Sequence, residues 1–475
     1  MSLHRLLLPA IAFTSGFALM TFELIAARIL APSIGSSTYI WTSVIGVIIA
    51  ALSVGYWAGG KVADARNRQS DIAWLLLLTA VTVGLTLLLY IPFIATVTQT
   101  FTDPRIQGVI ASLLLFAPMS FLIGMLSPYL VKLQITSLQQ SGKLFASLSA
   151  LESIGGIVGT FVTGFILFGF IGVRESLFIV VAVLVIVSWL ITQRHRTGVR
   201  AGITAVLLVS CVALLQLSQP GQIETTSAHY SIHYDISNGR PVRGISTGPG
   251  GIQSGIYLDN PDELLFWYTK QLARVTDAAP ARDRILVLGG GTFTLPSYLA
   301  KTYPDSQIDV VEIDPQLVDI AREHFYHKDP ANVTLIFDDA RRYVNNTTRS
   351  YDVVLVDVYS DTDVPFSLIT QQYAQQLRRI VSLDGVVGVN AIAGTVGPCA
   401  DLLRSIDAPY RKYWSSAQYQ QAVPGAVSSN MILVYSRTAL DLPGFTTLDG
   451  GGTAPFSDNF APAERRQQAC RQASE

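Results

Sequence analysis

Two patterns of hydrophobic and polar positions divide the chain. Up to about Leu217, apolar residues run almost unbroken, in stretches from Leu6 to Leu30, Tyr39 to Trp57, Ile72 to Val97, Ile106 to Leu130, Phe145 to Ile171, Leu177 to Ile191 and Ala201 to Leu217. Most reach the ~20 residues that a helix needs to cross a bilayer, and the last two are short. About seven spanning helices are therefore expected, the first of them retained, because its apolar stretch is too long for a signal core and is followed by Glu23 and Arg28 instead of a cleavage site. After Gln219-Pro-Gly-Gln the pattern breaks into short alternating runs, with charges spread evenly and turn residues frequent.

Within this second half, His229–Asp235 alternates like a strand, and Asn238-Gly239 supplies the turn of a hairpin. A small β-region over 223–258 is predicted, then an α/β core over 262–440. Pro261-Asp-Glu-Leu-Leu-Phe-Trp-Tyr268 predicts a helix whose acids sit in its first turn, where the helix dipole favours them. Arg284–Leu288, Asp309–Ile313, Val333–Phe337, Asp352–Asp357 and Gly385–Asn390 read as strands between helices. Such alternation gives a mainly parallel sheet with its ligand at the strands' carboxyl ends. The organisation expected is a helical membrane domain over 1–220 and an α/β nucleoside-binding domain over 221–475.

Composition agrees with the first reading. Half of all residues are hydrophobic and 14% are charged, with a mean hydropathy of +0.40, too apolar for an enzyme of this size dissolved in water. Net charge is −1, and no Lys/Arg cluster marks the polar half, so nucleic acid is not an expected partner. Basic residues favour alternate loops: Lys61, Arg66, Arg68, Lys132, Lys143, Arg194, Arg196 and Arg200 on one side, Arg105 and Arg174 on the other. The positive-inside rule puts the richer set in the cytoplasm, and a seventh span would then deliver the C-terminal domain outside. Against this, nucleoside cosubstrates are made in the cytosol, and Ala201–Leu217 is short enough to lie in the interface. Glu23 and Glu152 fall inside spans, where an acid either serves function or pairs structurally.

The candidate chemistry lies in Arg284-Ile-Leu-Val-Leu-Gly-Gly-Gly-Thr-Phe-Thr-Leu-Pro and the following Asp309-Val-Val-Glu-Ile-Asp-Pro315. Glycines after a strand let the backbone approach a ligand, since no Cβ intrudes and φ can turn positive. Glu312, at the end of the next strand about 20 residues on, can accept from both hydroxyls of a ribose. Gly289, Gly290 and Gly291 lack the spacing of dinucleotide binders, and no Gly-Lys-Ser/Thr follows, so the expected ligand is an adenosine carried on sulfur. Asp338-Asp339 and Asp357 close further strands and should share that crevice. Six scattered histidines and three cysteines offer no metal-ligand spacing. Cys399 and Cys470 read equally as one bridge or as two free thiols.

The order of the glycine loop, Val311-Glu-Ile-Asp314, Asp338-Asp-Ala340 and Tyr351-Asp-Val-Val-Leu-Val-Asp357 resembles the spermidine synthase family of aminopropyltransferases. Glu23-Leu-Ile-Ala-Ala-Arg-Ile-Leu-Ala-Pro32, Gly55-Tyr-Trp-Ala-Gly-Gly-Lys61, Val364-Pro-Phe366 and Ser457-Asp-Asn-Phe-Ala-Pro462 extend the likeness to the membrane-fused spermidine-synthase-like proteins. The resemblance implies a multi-pass cell-membrane protein with a methyltransferase-like Rossmann sheet. Its implied reaction moves an aminopropyl group from decarboxylated S-adenosylmethionine to a small amine or polyamine, and its implied assembly is a homodimer. It further implies that Gln253, Gly289, Gly290, Gly291, Glu312, Asp314, Asp339 and Ala340 hold the nucleoside, that Asp357 and Tyr359 are catalytic, and that Tyr268 and Asp361 meet the amine. The chain departs from the family after the glycines, where relatives carry an Asp that grips the aminopropyl ammonium and this chain has Thr292. The alternatives are an S-adenosylmethionine-dependent methyltransferase and a transporter or sensor that binds nucleoside or polyamine without catalysis.

Overall fold

The computed structural model describes residues 3–35, 37–66, 68–134, 141–191, 197–216, 221–225, 227–248, 251–358, 365–448 and 452–474. The chain divides into two compact units, Met1–His229 and Tyr230–Glu475.

The first unit is helical: α1 (Leu3–Ile34), α2 (Thr38–Arg66), α3 (Gln69–Thr100), α4 (Pro104–Leu115), α5 (Ala117–Gln134), α6 (Ser141–Val162), α7 (Phe168–Phe170), α8 (Val173–Leu190) and α9 (Thr197–Gln216), then a short strand β1 (Gln222–Glu224). Among the described residues, six of its helical segments are long and apolar enough to cross a membrane, and α4 with α5, bent by 51°, gives a seventh if the pair is one span. The expected stretch from Ile106 to Leu130 is thus a broken helix. Small residues set the packing, as they do where lipid removes the hydrophobic drive between helices. A Cβ on Gly16 would fall 1.9 Å from the Glu152 carbonyl oxygen, and one on Gly55 would fall 2.2 Å from that of Phe121, so α1 meets α6 and α2 meets α5 backbone to backbone. Arg200 is buried, its Nη2 donating to the Ser188 carbonyl at 2.7 Å.

In the second unit β2 (His229–Ser237), β3 (Arg240–Ser246) and β4 (Ser254–Tyr257) form an antiparallel meander. Asn238 and Gly239 both take positive φ at the β2–β3 turn, as the hairpin reading requires. The helix expected to open at Pro261 instead begins at Trp267, as α10 (Trp267–Asp277). Leu264 bridges Ile256, while Asp262 pairs with Lys301 and Glu263 with Arg240. Those ion pairs and that bridge hold the acids in a turn, where a helix dipole has no hold on them.

The core alternates β5 (Arg284–Leu288), α11 (Thr294–Thr302), β6 (Gln307–Glu312), α12 (Pro315–His324), β7 (Val333–Phe337), α13 (Ala340–Asn346), β8 (Tyr351–Val356), α14 (Gln371–Ile380) and β9 (Val381–Ala393). There follow α15 (Gly397–Arg411), β10 (Ser416–Gln421), β11 (Ser429–Ser436), β12 (Thr446–Thr447) and α16 (Ala463–Ser474). The sheet order is β12-β10-β11-β9-β8-β5-β6-β7. β9-β8-β5-β6-β7 are parallel, and β11 is antiparallel to both its neighbours. This mixed, doubly wound sheet is the methyltransferase-like fold, and its strand order reverses between β5 and β8, where a ligand crevice opens at the carboxyl ends. Cys399 and Cys470 form a disulfide that joins α15 to α16. Of the two cysteine readings, the bridge is the one observed.

Candidate functional site

The glycine loop fills the switch point and ties three strands together. Gly289 has φ +97°, its N–H donates to the Val311 carbonyl at 2.9 Å, and a Cβ there would meet the Asp357 carbonyl oxygen at 2.2 Å. Gly291 has φ +53°, and a Cβ there would meet Ser254 Oγ at 2.9 Å. Only glycine permits both the conformation and the approach. Phe293, an uncommon non-glycine residue at φ 57°, follows the loop with its ring buried against His327 at 4.9 Å. A left-handed bulky residue persists only where packing over-determines it, and such outliers collect at ligand clamps.

Glu312 lies beside the loop. Its Oε2 accepts the Gly290 N–H at 2.8 Å and its Oε1 the Asp314 N–H at 3.0 Å. Burial pushes this carboxyl above its ordinary range, while those backbone donors pull it down. The next residue, Ile313, is 61% exposed and offers an apolar surface at the crevice edge. Asp338 N–H donates to the Glu312 carbonyl at 3.1 Å, so the end of β7 follows at once. Asp339 caps α13 by accepting the Arg342 N–H at 2.8 Å, and Ala340 is buried behind it.

On the other side of the loop, Asp357 donates its N–H to the Leu288 carbonyl at 2.9 Å. Asp357 is half-buried. Burial pushes its carboxyl up to about 6 against a hydrogen bond from Asn390 Nδ2 at 2.9 Å. A carboxylate so poised ionises near neutral pH and can accept a proton from an amine.

Other predicted residues act at one remove. Tyr268 is buried and its hydroxyl donates to the Gln253 carbonyl at 2.8 Å, while the Gln253 amide oxygen accepts from Thr247 at 2.9 Å. Both therefore shape the segment leading into β4. Asp314, expected at the ligand, is fully buried and accepts from Tyr230 at 3.0 Å and from the Gln316 N–H at 3.0 Å. Tyr359 and Asp361 lie outside the described residues.

Three contributors escaped the sequence reading. Ser254 reaches Thr292 from β4, with Oγ to Oγ1 at 2.7 Å, and Thr292 in turn reaches Thr294 at 2.7 Å. This knot of hydroxyls is neutral, and Thr292 is 1% exposed. Tyr230, far from the loop in sequence, props Asp314. Asn390 closes the strand expected over Gly385–Asn390, whereas β9 runs on to Ala393, and what the sequence did not reveal is that its side chain reaches Asp357 on the neighbouring strand.

The site is thus a glycine loop at the switch point of a doubly wound sheet, with an acid on each side. Residues 265–441 match the family profile of the spermine/spermidine synthase domain. A polyamine aminopropyltransferase of Vibrio vulnificus is 30% identical over 146 residues, covering 30% of this chain and 49% of that protein. One of Neisseria meningitidis is 29% identical over 165 residues, covering 34% of this chain and 61% of that protein. This chain thus spans about half to three-fifths of the length of these curated relatives. Among solved structures, a probable spermidine synthase from Corynebacterium glutamicum aligns with TM-score 0.41 and 28% identity, over 46% of this chain and 81% of that one. Human methyltransferase-like protein 13 aligns with TM-score 0.32 and 20% identity, over 44% and 93%.

Proposed function

We propose that the chain is a membrane-embedded transferase that moves an aminopropyl group from decarboxylated S-adenosylmethionine to an amine. The observation that carries this reading is the placing of Glu312 and Asp357 on opposite flanks of one glycine loop, with the spermine/spermidine synthase match around them. Glu312 holds the ribose hydroxyls, the glycine loop takes the nucleoside at backbone distance, and Ile313 lies along the adenine. Asp357 orients the attacking amine.

In the reaction the amine nitrogen attacks the carbon next to the sulfonium, the carbon–sulfur bond breaks, and its electron pair returns to sulfur as methylthioadenosine. The nitrogen then gives its extra proton to Asp357. A sulfonium is already an activated leaving group, so positioning and one carboxylate suffice.

A second reading is favoured by the Ser254–Thr292–Thr294 knot. A neutral, self-satisfied wall offers no counter-charge to an aminopropyl ammonium, which suits a nucleoside with a different sulfonium tail, as in methyl transfer. Incubating the purified full-length protein with S-adenosylmethionine, its decarboxylated form and a panel of amines separates the two. Methylthioadenosine with an aminopropylated amine supports the first, a methylated product supports the second, and nucleoside binding without either product leaves a binding or sensing role.

We also propose that the apolar helices cross the cell membrane and that the C-terminal unit faces away from the cytoplasm, an orientation in which the transferase reading requires the nucleoside donor to be delivered across the membrane. Lys61, Arg66, Arg68, Lys132, Lys143, Arg194 and Arg196, at or beyond helix ends on one side, favour the cytoplasmic side. After α9 the chain would leave on the opposite side, and the Cys399–Cys470 disulfide suits an oxidising compartment.

A further inference from the structure

Asp357, Asn390 and Asn430 stand in a row across three neighbouring strands. Val356 of β8 pairs with Val389 of β9 in parallel register, so the residues that follow, Asp357 and Asn390, extend side by side. On β11, antiparallel to β9, Ile432 lies opposite Asn390 and Asn430 lies opposite Ile392, which puts Asn430 diagonal to Asn390 on the same face. Asn390 Nδ2 donates to Asp357 Oδ1 at 2.9 Å, and Asn430 Nδ2 donates to Asn390 Oδ1 at 3.1 Å. Asn390 is 5% exposed.

The direction of this chain is fixed by chemistry. An ionised carboxylate only accepts, so Asn390 must turn its NH2 toward Asp357 and its oxygen away. Asn430 supplies the donor that the oxygen then needs. Each amide polarises the next, and the positive ends of both point at the carboxylate.

We propose that Asn390, oriented in turn by Asn430, is a positioning residue that fixes the Asp357 carboxyl by one oxygen and leaves the other for the acceptor amine. The proposal rests on the transferase reading of the site. A neutral donor suits this task better than a cation. Arg or Lys at this place would depress the carboxyl by about 1–3 pH units and repel an incoming ammonium. A hydrophobic residue would let the carboxyl swing and hold it protonated well into the neutral range. With Asn390 in place, burial and hydrogen bonding balance at about 6.

Asn430 gives a test at one remove. In Asn430→Asp the new carboxylate accepts from Asn390, whose amide turns over and presents its oxygen to Asp357. Asn390→Ala removes the donor outright. In full-length protein, both variants should raise the acid limb of the kcat/KM profile by about one pH unit and lower turnover about tenfold. KM for the donor nucleoside should stay within twofold of wild type. Asn430→Ala, which adds no charge, should give a smaller shift in the same direction and serves if the Asp variant fails to fold.

An unmoved acid limb in folded variants overturns the proposal. The pairing is also read without turnover, by pH-difference infrared spectroscopy of the Asp357 carboxyl with Asp357→Asn as the blank. If wild type transfers nothing, the functional reading fails. A carboxyl titration that moves up in Asn390→Ala then still upholds the orienting role, and one that does not move rejects it.

Discussion

Glu312 is the residue at which the nucleoside reading is most exposed to test. Its carboxylate makes two backbone contacts, one from each oxygen, to the N–H groups of Gly290 and Asp314 at 2.8 and 3.0 Å. In the proposed site its remaining lone pairs are those to which ribose hydroxyls would donate. Hydrogen bonds to a charged group are worth about 1.5–3 kcal/mol each in net terms. Replacing Glu312 by Ala should therefore weaken methylthioadenosine binding by at least the worth of one such bond, about 1.5–3 kcal/mol or roughly 10- to 150-fold. The geometry adds a sharper expectation for Glu312→Gln. An amide has one oxygen, and both carboxylate oxygens are engaged by N–H donors, so its NH2 must face one of those donors. The isosteric Gln should thus bind no better than Ala, despite keeping size and shape. Titration calorimetry of full-length protein in detergent measures both, with a thermal melt to show that each variant is folded. Unchanged affinity in a folded Ala variant, or wild-type affinity in the Gln variant, would refute the assignment of this carboxylate to the ribose.

Asp357→Asn should leave nucleoside affinity within a fewfold of wild type but cut turnover by ~10²-fold or more, because shape is kept and the proton acceptor is lost; comparable loss of binding would show that Asp357 serves the nucleoside instead. In wild type, kcat/KM should rise with pH through about 6, where Asp357 ionises. The same carboxyl sets a stability trend: its folded value lies above that of an unfolded Asp, so its favourable contribution is complete at low pH and is lost as pH rises through about 6. Thermal melts should accordingly show Asp357→Asn gaining on wild type as pH increases across that window. Thr292→Asp places a carboxylate beside Ser254 and Thr294 and should improve kcat/KM for decarboxylated S-adenosylmethionine about tenfold; if neither wild type nor this variant yields product while both bind nucleoside, a binding role replaces catalysis. A cysteine engineered at position 449 should label with an impermeant thiol reagent in intact cells, and labelling only after lysis would place the C-terminal unit in the cytoplasm.

What the sequence by itself determined is what local pattern encodes. Apolar runs of bilayer length mark the helices of the first unit, since burial in lipid needs no partner segment to be legible. The strand, glycine and acid succession marks the second, because a backbone that must turn sharply at Gly289 and end a strand at Glu312 leaves both demands in neighbouring residues. Even the parallel orientation of β5, β6, β7 and β8 followed from their alternation with helices. The helix at Pro261 was misread for the converse reason: its acids answer to Arg240 and Lys301, which no local window contains. The disulfide between α15 and α16 likewise depends on distant neighbours. Only the tertiary structure could hide Asp314 under Tyr230, bring Ser254 across to Thr292, and line Asn430 and Asn390 up on Asp357. Each of these contacts joins side chains from separate elements, and what decides them is strand register and order, quantities that hydrophobic periodicity does not record.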